Sequence, residues 1–169
     1  MVTLFNVISE DGFIARPDDS EDFIPDGLWQ TTLKLITEYD TFVMGRRTYD
    51  VMQNYLKETL QSFERLPLKK IVVSRDTDFH PNPEVGYVVV DSPQEALKFG
   101  NNILVSSGPT LNTFLLQNKL IDKIIYHQVP VKIGEGIKPF NVDVSTLLLL
   151  TSEVALDGAV SELTFEILG

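Results

Sequence analysis

Short apolar runs alternate with stretches of helical spacing along almost the whole chain, and that rhythm leaves few folds open. Strands that alternate with helices form a sheet with helices packed on it, an α/β class. "VTLFNVI" opens the series as a strand. "LWQTTLKLITEY" has helical spacing, "DTFVMG" is a strand, and "RRTYDVMQNYLKETLQSF" is helical in part. "LKKIVVSR" and "VGYVVV" are strands, and "SPQEALKFG" is a helix capped by Ser92 and ended by Gly100. "NNILVSSG" is a strand and turn, "PTLNTFLLQNKL" a helix with Pro109 suited to its first position, and "DKIIYHQVPV" a strand. The end, "TLLLLTSEVALDGAVSELTFEIL", reads as a hairpin turning at Asp157 and Gly158. With 169 residues and 43% hydrophobic content, the chain suits one core and one domain, 1–169.

The absence of cysteine excludes disulfides, thiolate metal sites and a cysteine nucleophile, and it fits a reducing cytoplasm. No metal is called for, and redox work would need a borrowed cofactor. The beginning, "MVTLFNVISEDGFIA", lacks a basic segment and a long apolar core, so a soluble cytoplasmic protein is expected, without membrane contact. A net charge of -10 disfavours nucleic acid. Against that background the stretch from Arg46 to Arg75 carries seven basic residues and three acids, a local patch able to take a small anion.

Two strand ends give that patch a shape. In "YDTFVMGRRTYDVM" a strand stops at Gly45 and a helix follows at once, leaving free backbone N–H groups and a positive dipole end. Arg46, Arg47 and the Thr48 hydroxyl add charge and a donor. "ILVSSGPTLN" repeats the arrangement with Ser106, Ser107 and Gly108, and "VVSRD" puts Ser74 and Arg75 at a third strand end. Together these corners suit a phosphorylated dinucleotide, although neither is the G-x-G-x-x-G fingerprint or a P-loop. The loop "SEDGFIARPDDSEDFIPDG", rich in Asp, Gly, Pro and Ser, is long enough for a functional role.

The order of "SEDGFIA", "FVMGRRTYD", "IVVSRD", "ILVSSGPTLNTFLL" and "DKIIYHQVPVKIGEGIKPF" resembles the dihydrofolate reductase superfamily over nearly the whole chain. "MGRRTY" is similar to the phosphate corner of the folate enzymes. The run from Pro130 to Gly134 is closer to the pyrimidine reductase domain of riboflavin synthesis. The resemblance implies a three-layer fold with a mostly parallel sheet of about eight strands and a C-terminal antiparallel hairpin, and hydride transfer from NADPH to a flat heterocycle. It implies that Gly45, Arg46, Arg47 and Thr48 approach the pyrophosphate, that Ser74 and Arg75 lie at the adenosine end, that Ala15 borders the nicotinamide, and that Ser107, Gly108, Thr110 and Leu111 complete the cradle.

Reduction of an imine also needs a proton. The family's acid follows a Trp-x-x-Pro type segment, for which this chain has "SEDFIPDGLW", leaving Asp22 and Asp26 as alternative donors; Asp26 could instead cap the following helix. His127 stands where folate reductases carry a threonine and is a candidate partner for Asp22. Phe5, Phe23, Ile24, Trp29 and Leu33 are the expected lining for the substrate, with Leu33 better suited to the core. "RLPLKK" lacks the arginine that grips the folate tail, with Arg65, Lys69 and Lys70 as substitutes. "SSG" replaces a glycine pair, and a cis peptide is expected within Ser106, Ser107 and Gly108. The leading expectation is reduction of 7,8-dihydrofolate by a monomer or homodimer. The alternatives are reduction of a ribosylaminopyrimidine or another heterocycle, and dinucleotide binding without catalysis.

Overall fold

The computed structural model describes residues 1–169. Eight strands form one sheet: β1 Val2–Ile8, β2 Thr41–Gly45, β3 Lys69–Val73, β4 Val88–Val90, β5 Ile103–Val105, β6 Lys123–Gln128, β7 Leu148–Ala155 and β8 Ser161–Ile167, in the order β4-β3-β2-β5-β1-β6-β8-β7. The pairs β2/β3, β2/β5, β3/β4 and β1/β6 are parallel, whereas β6/β8 and β7/β8 are antiparallel. This is the mostly parallel sheet with a C-terminal antiparallel hairpin that the family resemblance implies. Five helices accompany it: α1 Leu28–Ile36, α2 Arg46–Gln53, α3 Lys57–Glu64, α4 Pro93–Ala96 and α5 Pro109–Gln117. No helix is long and apolar enough to cross a membrane.

The chain divides into two compact units, residues 1–2 with 26–107 and residues 3–25 with 108–169. In the first, Phe42 of β2 meets Phe63 of α3 edge to face at 4.9 Å, among buried Val43, Ile71, Val72 and Leu104. Helix α1 buries Leu28, Thr32, Leu35 and Ile36, the spacing of one helical face. In the second unit Leu4, Leu115 and Ile124 are fully buried, and Tyr126 meets Phe165 at 5.6 Å. Burial raises the Tyr126 hydroxyl pKa above its ordinary value.

The stretch after Gly45 is helical in part, as expected: it forms two helices, broken at 54–56. Three local expectations are corrected. Helix α4 has the Ser92 cap, whose hydroxyl accepts from Glu95 N–H at 3.3 Å, but it ends before Gly100. Gly100 is small for a different reason: a Cβ there would lie 2.0 Å from Asp40 Oδ1 and 2.2 Å from the Thr41 hydroxyl. The hairpin turn is wider than a two-residue one, with Asp157–Ala159 forming a short 3-10 turn in which Gly158 and Ala159 adopt φ of 72° and 61°. The expected cis peptide is absent: every peptide bond is trans. The Ser106 N–H is bonded to Val43 O at 3.0 Å, and Gly108 has an extended backbone at φ -84°, ψ -178° as it opens α5. The strand and the helix are therefore joined without a costly isomer.

Candidate active site

In the first unit, the parallel register of β2 and β5 sets Gly45 beside the end of β5. The Gly45 N–H donates to the Ser107 hydroxyl at 3.1 Å, and a Cβ on Gly45 would approach that oxygen to 2.9 Å. Glycine is needed here for close approach, not for φ, which is -78°. Helix α2 starts at Arg46 with no side-chain cap and no acid in its first turn. The positive end of its dipole therefore meets no acid of its own, which fits a phosphate oxygen.

The basic residues of this corner are not equivalent. The Arg46 Nε atom donates to Asp50 at 3.0 and 3.2 Å, Nη1 donates to Asp76 at 3.1 Å, and the guanidinium carbon lies 3.9 Å from the Phe79 ring centroid. The Asp50 bond leads in raising the Arg46 pKa. Its charge is thus shared by two carboxylates. Arg47 is exposed and Thr48 half-buried on the same turn. At the end of β3, Ser74 accepts from Asp76 N–H at 3.2 Å, and exposed Arg75 enters no ion pair. Tyr49 packs edge to face on Phe79 and Tyr87, each at 5.1 Å, and its hydroxyl accepts from Asn82 N–H at 3.0 Å, fixing the loop after β3.

The lysines expected to replace a tail-gripping arginine are engaged elsewhere. Lys70 is 4% exposed and donates to Leu66 O at 2.7 Å and Leu68 O at 3.3 Å, carbonyls just beyond the C-terminus of α3, where a cation is favoured. Burial lowers its pKa, against the pull of Glu64. Lys69 donates to Phe99 O at 2.6 Å, and Arg65 to the Gln61 side chain at 3.3 Å. On α1, Trp29 is fixed by its Nε1–H bond to the Ser62 hydroxyl at 2.8 Å and by an edge contact with Tyr55, while Leu33 is half-buried.

In the second unit, α5 likewise opens without a side-chain cap, behind Gly108 and with Pro109 at its start; Thr110 is exposed and Leu111 buried. Its N-terminus fits a phosphate oxygen for the same reason. Ala15 is buried and forms a bridge with Ile137: Ile137 N–H donates to Ala15 O at 2.8 Å and Ile14 N–H to Ile137 O at 2.8 Å. Asp11 clamps the same two segments, accepting from the Ser9 hydroxyl at 2.6 Å, Gly134 N–H at 2.8 Å and Ile133 N–H at 3.1 Å. The Ser9 bond leads in lowering its pKa to about 2.

The two proposed acids are both exposed. Asp22 forms an ion pair with Arg16, whose guanidinium also lies over buried Phe23, so this ring packs the loop; Ile24 is half-buried. Asp26 does not cap α1, whose cap residue Gly27 makes no side-chain bond. His127 pairs with Glu162 rather than with Asp22. Antiparallel register puts Glu162 directly opposite His127, and Nε2 lies 2.8 Å from its carboxylate. The imidazole is fully buried and meets Phe5 edge to face at 4.9 Å. Burial lowers the His127 pKa more than Glu162 raises it, which keeps the ring neutral. Sequence reasoning missed Glu162, because only the strand register carries that pairing.

The RibD C-terminal domain family matches residues 1–153. The chain belongs to that family. Among solved structures, a pyrimidine reductase-like protein of Corynebacterium diphtheriae shares 14% identity at a TM-score of 0.72, covering 99% of this chain and 92% of that one. The Thermotoga maritima diaminohydroxyphosphoribosylaminopyrimidine deaminase/5-amino-6-(5-phosphoribosylamino)uracil reductase shares 15% at 0.73, and the chain spans 56% of its length. Dihydrofolate reductase of Enterococcus faecalis, complexed with NADP(H), shares 17% at 0.69 over 99% and 96% of the two chains. These likenesses fix the fold as that of dihydrofolate reductase and RibD. No curated protein sequence matches the chain. Family and fold agree: the chain carries the RibD C-terminal domain on a dihydrofolate reductase-like fold.

Proposed function

We propose that the chain is an NADPH-dependent reductase of a phosphorylated ribosylaminopyrimidine, the riboflavin-pathway type of reaction. One observation carries the choice over dihydrofolate. Of the three cations available where a folate tail would be gripped, Lys69 and Lys70 are bonded to main-chain carbonyls, Lys70 in a buried position, and Arg65 donates to the Gln61 side chain. The family match supports the same direction.

In this reading NADPH supplies the hydride. The N–H groups at the start of α2 with Arg47 and Thr48 hold phosphate oxygens, and Arg75 with Ser74 favours the phosphorylated adenosine. Within the first unit Ser107 shapes the Gly45 corner, and Trp29 is the flat side chain offered to a heterocycle. Within the second unit the start of α5, with Gly108, Thr110 and Leu111, is a further candidate for the cofactor, Ala15 for its nicotinamide, and Phe5 and Ile24 for the heterocycle. Asp22 or Asp26 delivers the proton, directly or through water.

The test follows loss of NADPH absorbance with 5-amino-6-(5-phosphoribosylamino)uracil against 7,8-dihydrofolate, in the parent and in Asp22→Asn and Asp26→Asn. Turnover of the uracil alone, with collapse in one variant, supports the reading and identifies the donor. Turnover of dihydrofolate alone overturns the substrate assignment. NADPH binding with neither substrate reduced leaves a binding protein.

A further inference from the structure

The His127–Glu162 pair has a feature that no strand needs. The Nε2 atom faces the Glu162 carboxylate at 2.8 Å, so it carries the proton and donates. In the neutral ring Nδ1 is then a bare acceptor, and it is buried with no hydrogen-bond partner. Buried polar atoms are almost always paired, so an unmet one calls for an explanation. An interior water is a poor one, because it would need two to four polar partners. On the β1 side the neighbours of His127 on its face of the sheet are apolar: Phe5 stands edge to face with the ring, Val7 is its register partner, and Ile125 lies two residues back on β6, while the polar neighbours on that face, Glu162 and Thr164, lie on β8, where Glu162 already takes Nε2.

Flat heterocycles bring what is missing, an N–H donor on an apolar ring that packs against Phe5. We propose that His127 is a specificity-determining residue whose Nδ1 accepts a hydrogen bond from an N–H of the substrate heterocycle, with Glu162 as the positioning residue that fixes the accepting tautomer. This rests on the reductase reading above and deepens it by naming the donor edge that the site selects. The Glu162 side chain is 30% exposed, so solvent reaches the pair from the Nε2 side, whereas His127 itself is fully buried. A heterocycle without a free N–H leaves the acceptor unmet, and such mismatches discriminate strongly between analogues.

The test uses the whole protein with 15N-labelled histidine, bound to NADP+ so that no turnover occurs. The chain has 2 histidines, so a His80→Gln variant assigns the spectrum. The probes are 5,6-diaminouracil, which offers amino and ring N–H groups, and 1,3-dimethyluracil, which offers none. The His127 Nδ1 resonance is expected at the unprotonated position in the free protein, moving with the first probe and not with the second. Glu162→Ala is expected to mix the two tautomers before any ligand is added, and Glu162→Asp to restore one. In kinetics with 5-amino-6-(5-phosphoribosylamino)uracil, His127→Phe keeps the ring shape and is expected to raise KM about tenfold or more with NADP+ affinity unchanged. A diaminouracil that binds while Nδ1 stays still overturns the proposal, as does an unchanged KM in folded His127→Phe. Should that variant fail to fold, the spectra of the native ring decide. A parent that reduces no aminopyrimidine removes the functional reading and this proposal with it, whereas an active parent matched by His127→Phe removes the proposal alone.

Discussion

Gly45 and Ser107 form a single joint between the ends of β2 and β5: the glycine N–H donates to the serine hydroxyl at 3.1 Å, and a Cβ on Gly45 would stand 2.9 Å from the same oxygen. The hydroxyl can neither be lost nor pushed aside without leaving that N–H unmet. Ser107→Ala is expected to lower stability by about 0.5–1.5 kcal/mol, the net worth of one part-buried hydrogen bond. Gly45→Ala should disturb the same bond and weaken NADPH binding further, because the first N–H groups of α2 follow directly. Urea unfolding and fluorescence titration with NADPH measure the two effects, and a Gly45→Ala protein with parental affinity would remove this corner from the cofactor site.

Asp11 makes the acid limb of stability readable. Its folded pKa is about 2, led by the Ser9 bond, against an ordinary carboxylate value near ~3.9. A depressed folded pKa stabilises the fold fully above the unfolded value, and that contribution is lost as pH falls through about 2. Asp11→Asn should therefore be less stable than the parent at neutral pH, with the gap closing between about pH 4 and pH 2. Urea midpoints measured across that window test the claim, and a constant gap would contradict it.

How far residues alone foretell this structure depends on whether a contact is local. The strands were legible because runs such as "TFVMG" and "KIIYHQ" are continuous apolar stretches ended by polar or glycine residues, and Ser92 and Pro109 mark helix starts by local chemistry. The corners at Gly45 and Ser107 were legible for the same reason. Pairings across strands were not: Glu162 on His127 and Lys70 on the carbonyls past α3 require a register or a packed helix end. Asp22 looked catalytic in a polar loop, yet its observed partner is Arg16, six positions away in that loop. Gly100 looked like a helix stop, and the space beside Asp40 is what demands it.

The lysines give a prediction that separates structure from recognition. Lys70→Met keeps the stem and removes the ammonium, leaving Leu66 O and Leu68 O without their donor, and is expected to cost about 1–3 kcal/mol of stability. Lys69→Ala, at an exposed position, should cost less than about 1 kcal/mol. Neither variant, while folded, is expected to change KM for the pyrimidine substrate by more than about twofold, since both cations face the protein's own carbonyls. Steady-state kinetics beside urea unfolding check this, and a selective rise in KM for Lys69→Ala would return that residue to the substrate site.

Gly134 and Gly136 lie two residues apart yet resist substitution for different reasons. A Cβ on Gly136 would fall 2.3 Å from Ala15 O and 3.1 Å from both Phe13 Cβ and Ile133 Cδ1. The Ala15 oxygen is backbone and cannot turn away, so Gly136→Ala must separate the segments joined by the Ile137–Ala15 and Ile14–Ile137 bonds. Two lost bonds amount to about 2 kcal/mol. Gly134 has open space around it but a φ of +81°, so Gly134→Ala should cost about 1–2 kcal/mol through backbone strain while leaving the Ala15 bridge closed. Hydrogen exchange reads the difference: the Ile14 and Ile137 amides should exchange faster in Gly136→Ala and keep their protection in Gly134→Ala. If Ala15 borders the nicotinamide as proposed, Gly136→Ala should also lose more activity than its loss of stability explains. Equal protection and equal activity in the two variants would show that the bridge does not position Ala15.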